Sequence, residues 1–216
     1  MSPILPLTLA HLLVFVYWLG GDVGAFHVAT FLTKDDVPAD RRLFAARLLG
    51  DIDMAPRTSL VLAFPTGLAL AVAKGWIAVP PLLVAALFGA AIFWLAIVWR
   101  LHLSSGDGWL RSLDLAIRWV VLAALAAFGV ASLAGLAPAP TFIALKCLAL
   151  CVAIACGIAI RKVATPLGPA LANLAVGEDA NALQEIRGIL ARARPLVLLI
   201  WAMLIIAASL GVAKPG

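Results

Sequence analysis

Long apolar runs alternate with short polar breaks along the whole chain. The runs cover about residues 4–30, 55–74, 80–102, 113–136, 141–160 and 195–213. A helix of roughly 20 apolar residues crosses the ~30 Å hydrocarbon layer of a bilayer. The runs lack the every-second-residue alternation of a membrane β-barrel. The expected fold is therefore all-α: a polytopic membrane helix bundle of about six transmembrane helices, forming one integral membrane domain over residues 1–216. Two further stretches have helical amphipathic spacing. In 40–50, Leu43, Phe44 and Leu48 oppose Arg42 and Arg47; in 179–194, Leu183, Ile186, Ile189 and Leu190 oppose Glu185, Arg187 and Arg192. Both read as helices lying along the membrane surface on the cytoplasmic side. Pro56 and Pro195 are placed to open the helices that follow, since proline suits a first turn. Ser104–Gly108 reads as a loop and Ala137–Pro140 as a tight turn.

Charge adds orientation. Lys34, Arg41, Arg42 and Arg47 lie in the first connection, Arg100 and Arg111 flank the third, and Arg161, Lys162, Arg187, Arg192 and Arg194 lie in the fifth. The other connections carry few basic residues, so the odd-numbered ones are expected to face the cytoplasm and both termini to lie outside. The net charge of +5 thus reads as a topology signal rather than as a nucleic-acid surface. The first run has neither a basic leader nor a small-residue cleavage site after it, and is expected to remain as a helix. With 64% hydrophobic and 12% charged residues, the chain falls well below the roughly 25% charged content of soluble domains, and its principal partner is the lipid bilayer.

The few polar residues inside the runs are the candidate chemistry. His11, Trp18 and Asp22 share one face of the first helix. By depth, His11 and Lys146 form an outer polar layer, and Asp22, His27, Arg57 and His102 an inner one. A carboxylate in hydrocarbon needs a partner or a proton, and Arg57 is the expected partner of Asp22, either as a helix staple or as an arginine facing a bound anionic group. His27 and His102 read either as interfacial histidines or as axial iron ligands. His11 reads either as a cofactor ligand or as one end of an interhelical hydrogen bond. Gly20, Gly21 and Gly24 thin one region of the first helix, which admits either a neighbouring helix or a flat ligand. Cys147, Cys151 and Cys156 share one apolar run and read as buried structural thiols. Trp76, Trp99, Trp109 and Trp119 are placed as interfacial aromatics.

The pattern His11, six residues, Trp18, one residue, Gly20-Gly21 resembles the first helix of the copper-resistance protein D membrane family and of the related bacterial membrane protoporphyrinogen oxidases. Pro56 and Thr66-Gly67 fit the second helix of that pattern loosely, and the likeness covers about the first 75 residues. The resemblance implies a helical haem b protein of the bacterial inner membrane. In it His11 takes the role of the first-helix histidine. Lys146 takes that of a lysine on a later helix, here the fifth rather than the third. Asp22 and Gly24 stand where the oxidases carry a Tyr-Leu-Pro-Arg-like stretch, which separates this chain from their substrate.

Three functions are compatible with these residues. The first is a haem b redox protein exchanging electrons with a quinone or a porphyrin, either as a membrane oxidoreductase or as an electron-transfer subunit. Its site would use His11, Trp18, Gly20, Gly21, Arg57 and Lys146 around the cofactor, and His11, His27 and His102 as iron ligands. The second is copper transport, against which the confinement of all cysteines to one helix counts, since Cu(I) takes soft ligands from several helices. The third is an accessory subunit of a membrane complex, or a homo-oligomer, without its own cofactor.

Overall fold

The structure is a computed structural model that describes residues 3–104, 108–177 and 180–214. The loop residues Ser105–Asp107 and the expected helix start at Asp179 lie outside the described residues. Among the described residues eight α-helices follow in order: α1 (Ile4–Ala29), α2 (Ala39–Ile52), α3 (Met54–Ala73), α4 (Pro81–Leu103), α5 (Gly108–Leu133), α6 (Thr141–Val163), α7 (Leu167–Val176) and α8 (Ala180–Ala213). A single 3-10 turn, Thr30–Leu32, extends α1. Among the described residues six helices are long and apolar enough to cross a membrane: α1, α3, α4, α5, α6 and α8.

Successive spans are neighbours, and α8 packs back on α1, so the six close into a ring. Its interior is an apolar cluster including Trp18, Leu60, Val61, Trp94, Val98, Leu125, Cys147, Ile154, Ile200 and Leu204. The outside is just as apolar: Leu9, Leu12, Leu13, Val16, Ile92, Phe93, Val120, Leu199 and Ile205 are all exposed. A soluble protein does not present such a surface, whereas a bilayer solvates it. The helix most enclosed by protein is α3, with Ser59, Thr66 and eight apolar residues buried along it.

The two ends of the ring differ. One carries the start of α1 and the end of α8, and is called here the terminal end. The other is covered by α2, α7 and the first half of α8, and is called the cap end. In the cap, Leu32, Ala45, Ala170, Leu174, Ala182 and Ile186 form a second buried cluster. Stretch 179–194 was expected to lie on the membrane surface, with Pro195 opening a separate helix. Instead α8 runs unbroken through Pro195. Ile186 and Ile189 are fully buried, so the apolar stripe read as membrane-facing is covered by protein. Pro195 forfeits one i→i−4 bond, a loss that tertiary contacts offset in a packed helix. Two arginines fasten the cap to the chain leaving α1. Arg42 donates to the carbonyls of Val37 at 2.6 Å and Lys34 at 2.5 Å. Arg187 donates to the carbonyl of Thr33 at 3.0 Å and pairs with Asp35. Helix α7 answers no expectation from the sequence; its ten residues are short and lie in what reads as a polar connection.

Of the glycines on α1, Gly21 sets the closest approach. A Cβ there would lie 2.5 Å from Pro56 Cδ and 3.0 Å from Ala55 Cβ, whereas at Gly20 nothing lies within 4 Å. Gly21 is thus spent on helix packing. Gly21→Ala is expected to destabilise the bundle by about 1–3 kcal/mol through overpacking, read as a lower thermal midpoint in detergent, while Gly20→Ala leaves the midpoint unchanged.

Candidate functional site

Polar side chains gather in two layers, as depth along the helices requires. Near the terminal end, His11 of α1 faces Thr66 and Gly67 of α3. His11 Nδ1 is 3.0 Å from Thr66 Oγ1, and that hydroxyl donates its one proton to the carbonyl of Leu62 at 2.7 Å. The hydroxyl is then left with lone pairs for the imidazole, so Nδ1 carries the proton of this contact. In the uncharged ring, Nε2 keeps a lone pair, and among the described residues it has no hydrogen-bond partner. Gly67 makes room for the ring: a Cβ there would come within 3.0 Å of His11 Cε1. Lys146, on the first turns of α6, is within electrostatic reach of His11. Its ammonium lies against Gly211 of α8, where a Cβ would come within 2.9 Å of Nζ and the flexible lysine end would shift. Among the described residues no carboxylate pairs with Lys146. The outer layer read from the sequence is thus present, with Thr66, Gly67 and Gly211 as supports that periodicity did not single out.

The cap-end layer is denser and its pairing differs from expectation. Arg57 pairs with Asp53, four residues earlier, at 2.5 Å, not with Asp22. Asp53 stands one helical turn before Arg57 at the α2–α3 junction, so its reach is shorter than that of a residue on another helix. Asp22 instead lies near Trp18, one turn back on α1, and near Asp53. Its Oδ2 is buried with no hydrogen-bond partner. Trp18 is buried in the ring interior, one helical turn from Asp22.

The most completely built polar cluster is one the sequence reading passed over. Asp114 and Arg118, whose i,i+4 spacing at the start of the fourth apolar run suits a pair, are 0% and 3% exposed. Trp94 Nε1 of α4 donates to Asp114 Oδ1 at 2.7 Å. Arg118 Nε of α5 donates to Oδ2 at 3.2 Å, and Arg161 Nη1 of α6 meets the same oxygen at 2.6 Å. The Arg118 guanidinium also sits 5.6 Å from the Trp94 ring centroid, within cation–π range. The i,i+4 pair is present as its spacing implies; its depth follows from the helix boundary, since α5 begins at Gly108 rather than near Leu113, which carries Asp114 a turn and a half into the span.

The remaining candidates do not converge. His27 and His11 are sixteen residues apart on one continuous helix, about 24 Å along its axis at 1.5 Å per residue. His27 packs edge-on against Phe31 at 5.9 Å. His102, at the end of α4, has Nε2 3.2 Å from Asp51 Oδ1. These two histidines therefore do not join His11 in one iron site. Among the described residues no three His, Cys, Asp or Glu side chains are grouped to hold a metal ion. The three cysteines are buried on α6, and Cys151 donates weakly to the carbonyl of Leu122 at 3.4 Å. Trp76 of the expected aromatic belt stacks edge-on against Phe142 at 5.1 Å, with Lys74 over its face. Trp99, Trp109 and Trp119 are exposed on the outside of the ring.

Comparison with known proteins returned no matching family model, no matching curated protein and no matching solved structure.

Removing the acceptor that Trp94, Arg118 and Arg161 share leaves a buried guanidinium without a counter-charge. Asp114→Ala is expected to cost about 3–5 kcal/mol, measured as loss of folded protein from detergent extracts. Trp94→Phe, which removes one donor and keeps the ring, is expected to cost about 1 kcal/mol.

Proposed function

We propose that the chain is a haem b-binding redox protein of the bacterial inner membrane, with His11 as an axial ligand and Lys146 beside it. The observation that carries this reading is the hydrogen bond that fixes the proton of His11 on Nδ1. A histidine that ligates iron does so through an unprotonated ring nitrogen, and its other nitrogen is held by a hydrogen bond that sets the ring orientation. Thr66 supplies that hold, and the Leu62 carbonyl in turn holds Thr66. The donor set fits one axial position from the protein: a single imidazole nitrogen with no partner, set in an apolar helix beside an unpaired ammonium. It does not fit a bis-histidine centre built with His27 or His102.

In this reading the chain binds and orients. Thr66 holds His11 through Nδ1 and leaves Nε2 as the uncommitted ring nitrogen. Gly67 and Gly211 leave the space that the imidazole and the Lys146 side chain fill. The ammonium of Lys146 favours an anionic group at that depth, such as a propionate. The exposed Leu and Val side chains of α1 exclude water and leave the layer accessible from the lipid, the route by which a quinone or a porphyrin would approach. Bound haem b would supply one-electron transfer at its iron. The resemblance of His11, Trp18, Gly20 and Gly21 to the first helix of the membrane protoporphyrinogen oxidases supports the same choice of cofactor. Gly21 is occupied by helix packing and Arg57 by Asp53, so this site is placed around His11 and Lys146 rather than along the glycine face.

The protein purified in mild detergent from cells supplied with haem precursor is expected to show a Soret band. His11→Ala should abolish it, and Thr66→Val, which keeps the shape and removes the oriented hydroxyl, should weaken haem retention about 10–100-fold. A colourless wild-type protein, or a Soret band unchanged in His11→Ala, contradicts the proposal.

A further inference from the structure

The cluster around Asp114 holds more guanidinium donors than that carboxylate can accept. Asp114 presents two oxygens to three donors: Trp94 takes Oδ1, and Arg118 and Arg161 share Oδ2. One negative charge therefore faces two positive ones. Arg118 is 3% exposed, yet its Nη2 is buried with no hydrogen-bond partner. A buried guanidinium N–H without an acceptor is costly, and folded proteins rarely leave one so. Arg57 lies within electrostatic reach of Arg118, and its own partner Asp53 engages only its Nε and Nη2. The cluster is also reachable. Arg161 is 32% exposed and Arg57 40% exposed, and Arg161 stands two residues before the end of α6.

We propose that Arg118, Arg161 and Arg57 form a binding site for a phosphate-bearing anion that enters at the cap end of the bundle. The deep Arg118 Nη2 supplies the innermost donor, and Arg161 and Arg57 close on the anion from the rim. A phosphate has several oxygens pointing in different directions, which suits donors arriving from α3, α5 and α6, and the arginine fork is matched to it. Asp114 orients Arg118 and Arg161, and its single charge leaves the pair net positive. The anion is either a free phosphate or the headgroup of an anionic phospholipid. This site is independent of the haem reading and lies toward the cap end from His11, with Arg57 nine residues before Thr66 on α3, about 13.5 Å along the axis.

The test is the thermal unfolding midpoint of the full-length protein in detergent. It is titrated with sodium phosphate, with dioctanoyl phosphatidylglycerol and with dioctanoyl phosphatidylcholine, against sodium chloride at matched ionic strength. The expected result is a saturable rise with phosphatidylglycerol that exceeds the chloride and phosphatidylcholine controls. In Arg161→Gln the apparent affinity should fall roughly tenfold, as expected for loss of a charge-assisted donor. Arg57→Gln, at the more exposed rim, provides the same reading if Arg161→Gln does not fold. A rise with phosphate as well assigns the site to the free anion, and a rise with phosphatidylglycerol alone assigns it to a lipid headgroup. No rise with either, or the same rise in the folded variants, overturns the proposal.

Discussion

A carboxylate deep in an apolar bundle survives only when donors replace the water it has lost, and Asp114 meets that requirement with donors from three helices. Trp94, Arg118 and Arg161 bring α4, α5 and α6 to one point. This matters most between α4 and α5, which touch over little of their length. Apolar contact adds little specificity between helices in lipid, because hydrocarbon tails are as apolar as Leu and Val. A shared carboxylate with fixed directions can specify which helices meet, and at what height. The rest of the ring relies on close approach instead, with Gly21 of α1 against Pro56 of α3 and Gly129 of α5 against Leu148 of α6.

The two polar layers have different characters. At the cap end, side chains are bound to one another and to loop carbonyls, and Arg42 and Arg187 carry the same economy into the cap itself. At the terminal end, few polar groups are present, and those left uncommitted among the described residues include one imidazole nitrogen of His11 and the ammonium of Lys146. Polar groups inside a membrane are expensive, so those left without partners in the protein are the ones a ligand would satisfy. The proposed haem site and the proposed anion site follow from that single rule, applied at opposite ends of the same bundle.

Much of the fold was legible because crossing a bilayer demands long apolar runs, and the breaks between them were clear. His11 and Lys146 were also legible, since their distance from the helix ends places them at one level whatever the packing. The cap was less so. Pro195 looked like a helix start because local propensity carries no record of the neighbours that sustain α8 through it. The stripe of Ile186 and Ile189 suits a membrane surface as well as it suits the buried face of Leu32 and Leu174; only tertiary contact separates the two. Pairings failed for the same reason. Asp22 and Arg57 agreed in depth, but Asp53 was one turn away on the same stretch of chain, and proximity along a helix prevailed. The pairing of Asp114 with Arg118 followed from their spacing, but its depth did not, because α5 starts five residues before the apolar run.

The account of His11 rests on the location of one proton, which nitrogen chemical shifts report directly. In full-length protein labelled with ¹⁵N-histidine in detergent and prepared without haem, with His11 assigned by its absence in His11→Gln, the account predicts a protonated Nδ1 and an unprotonated Nε2. A ring protonated on Nε2 and bare on Nδ1 would contradict it.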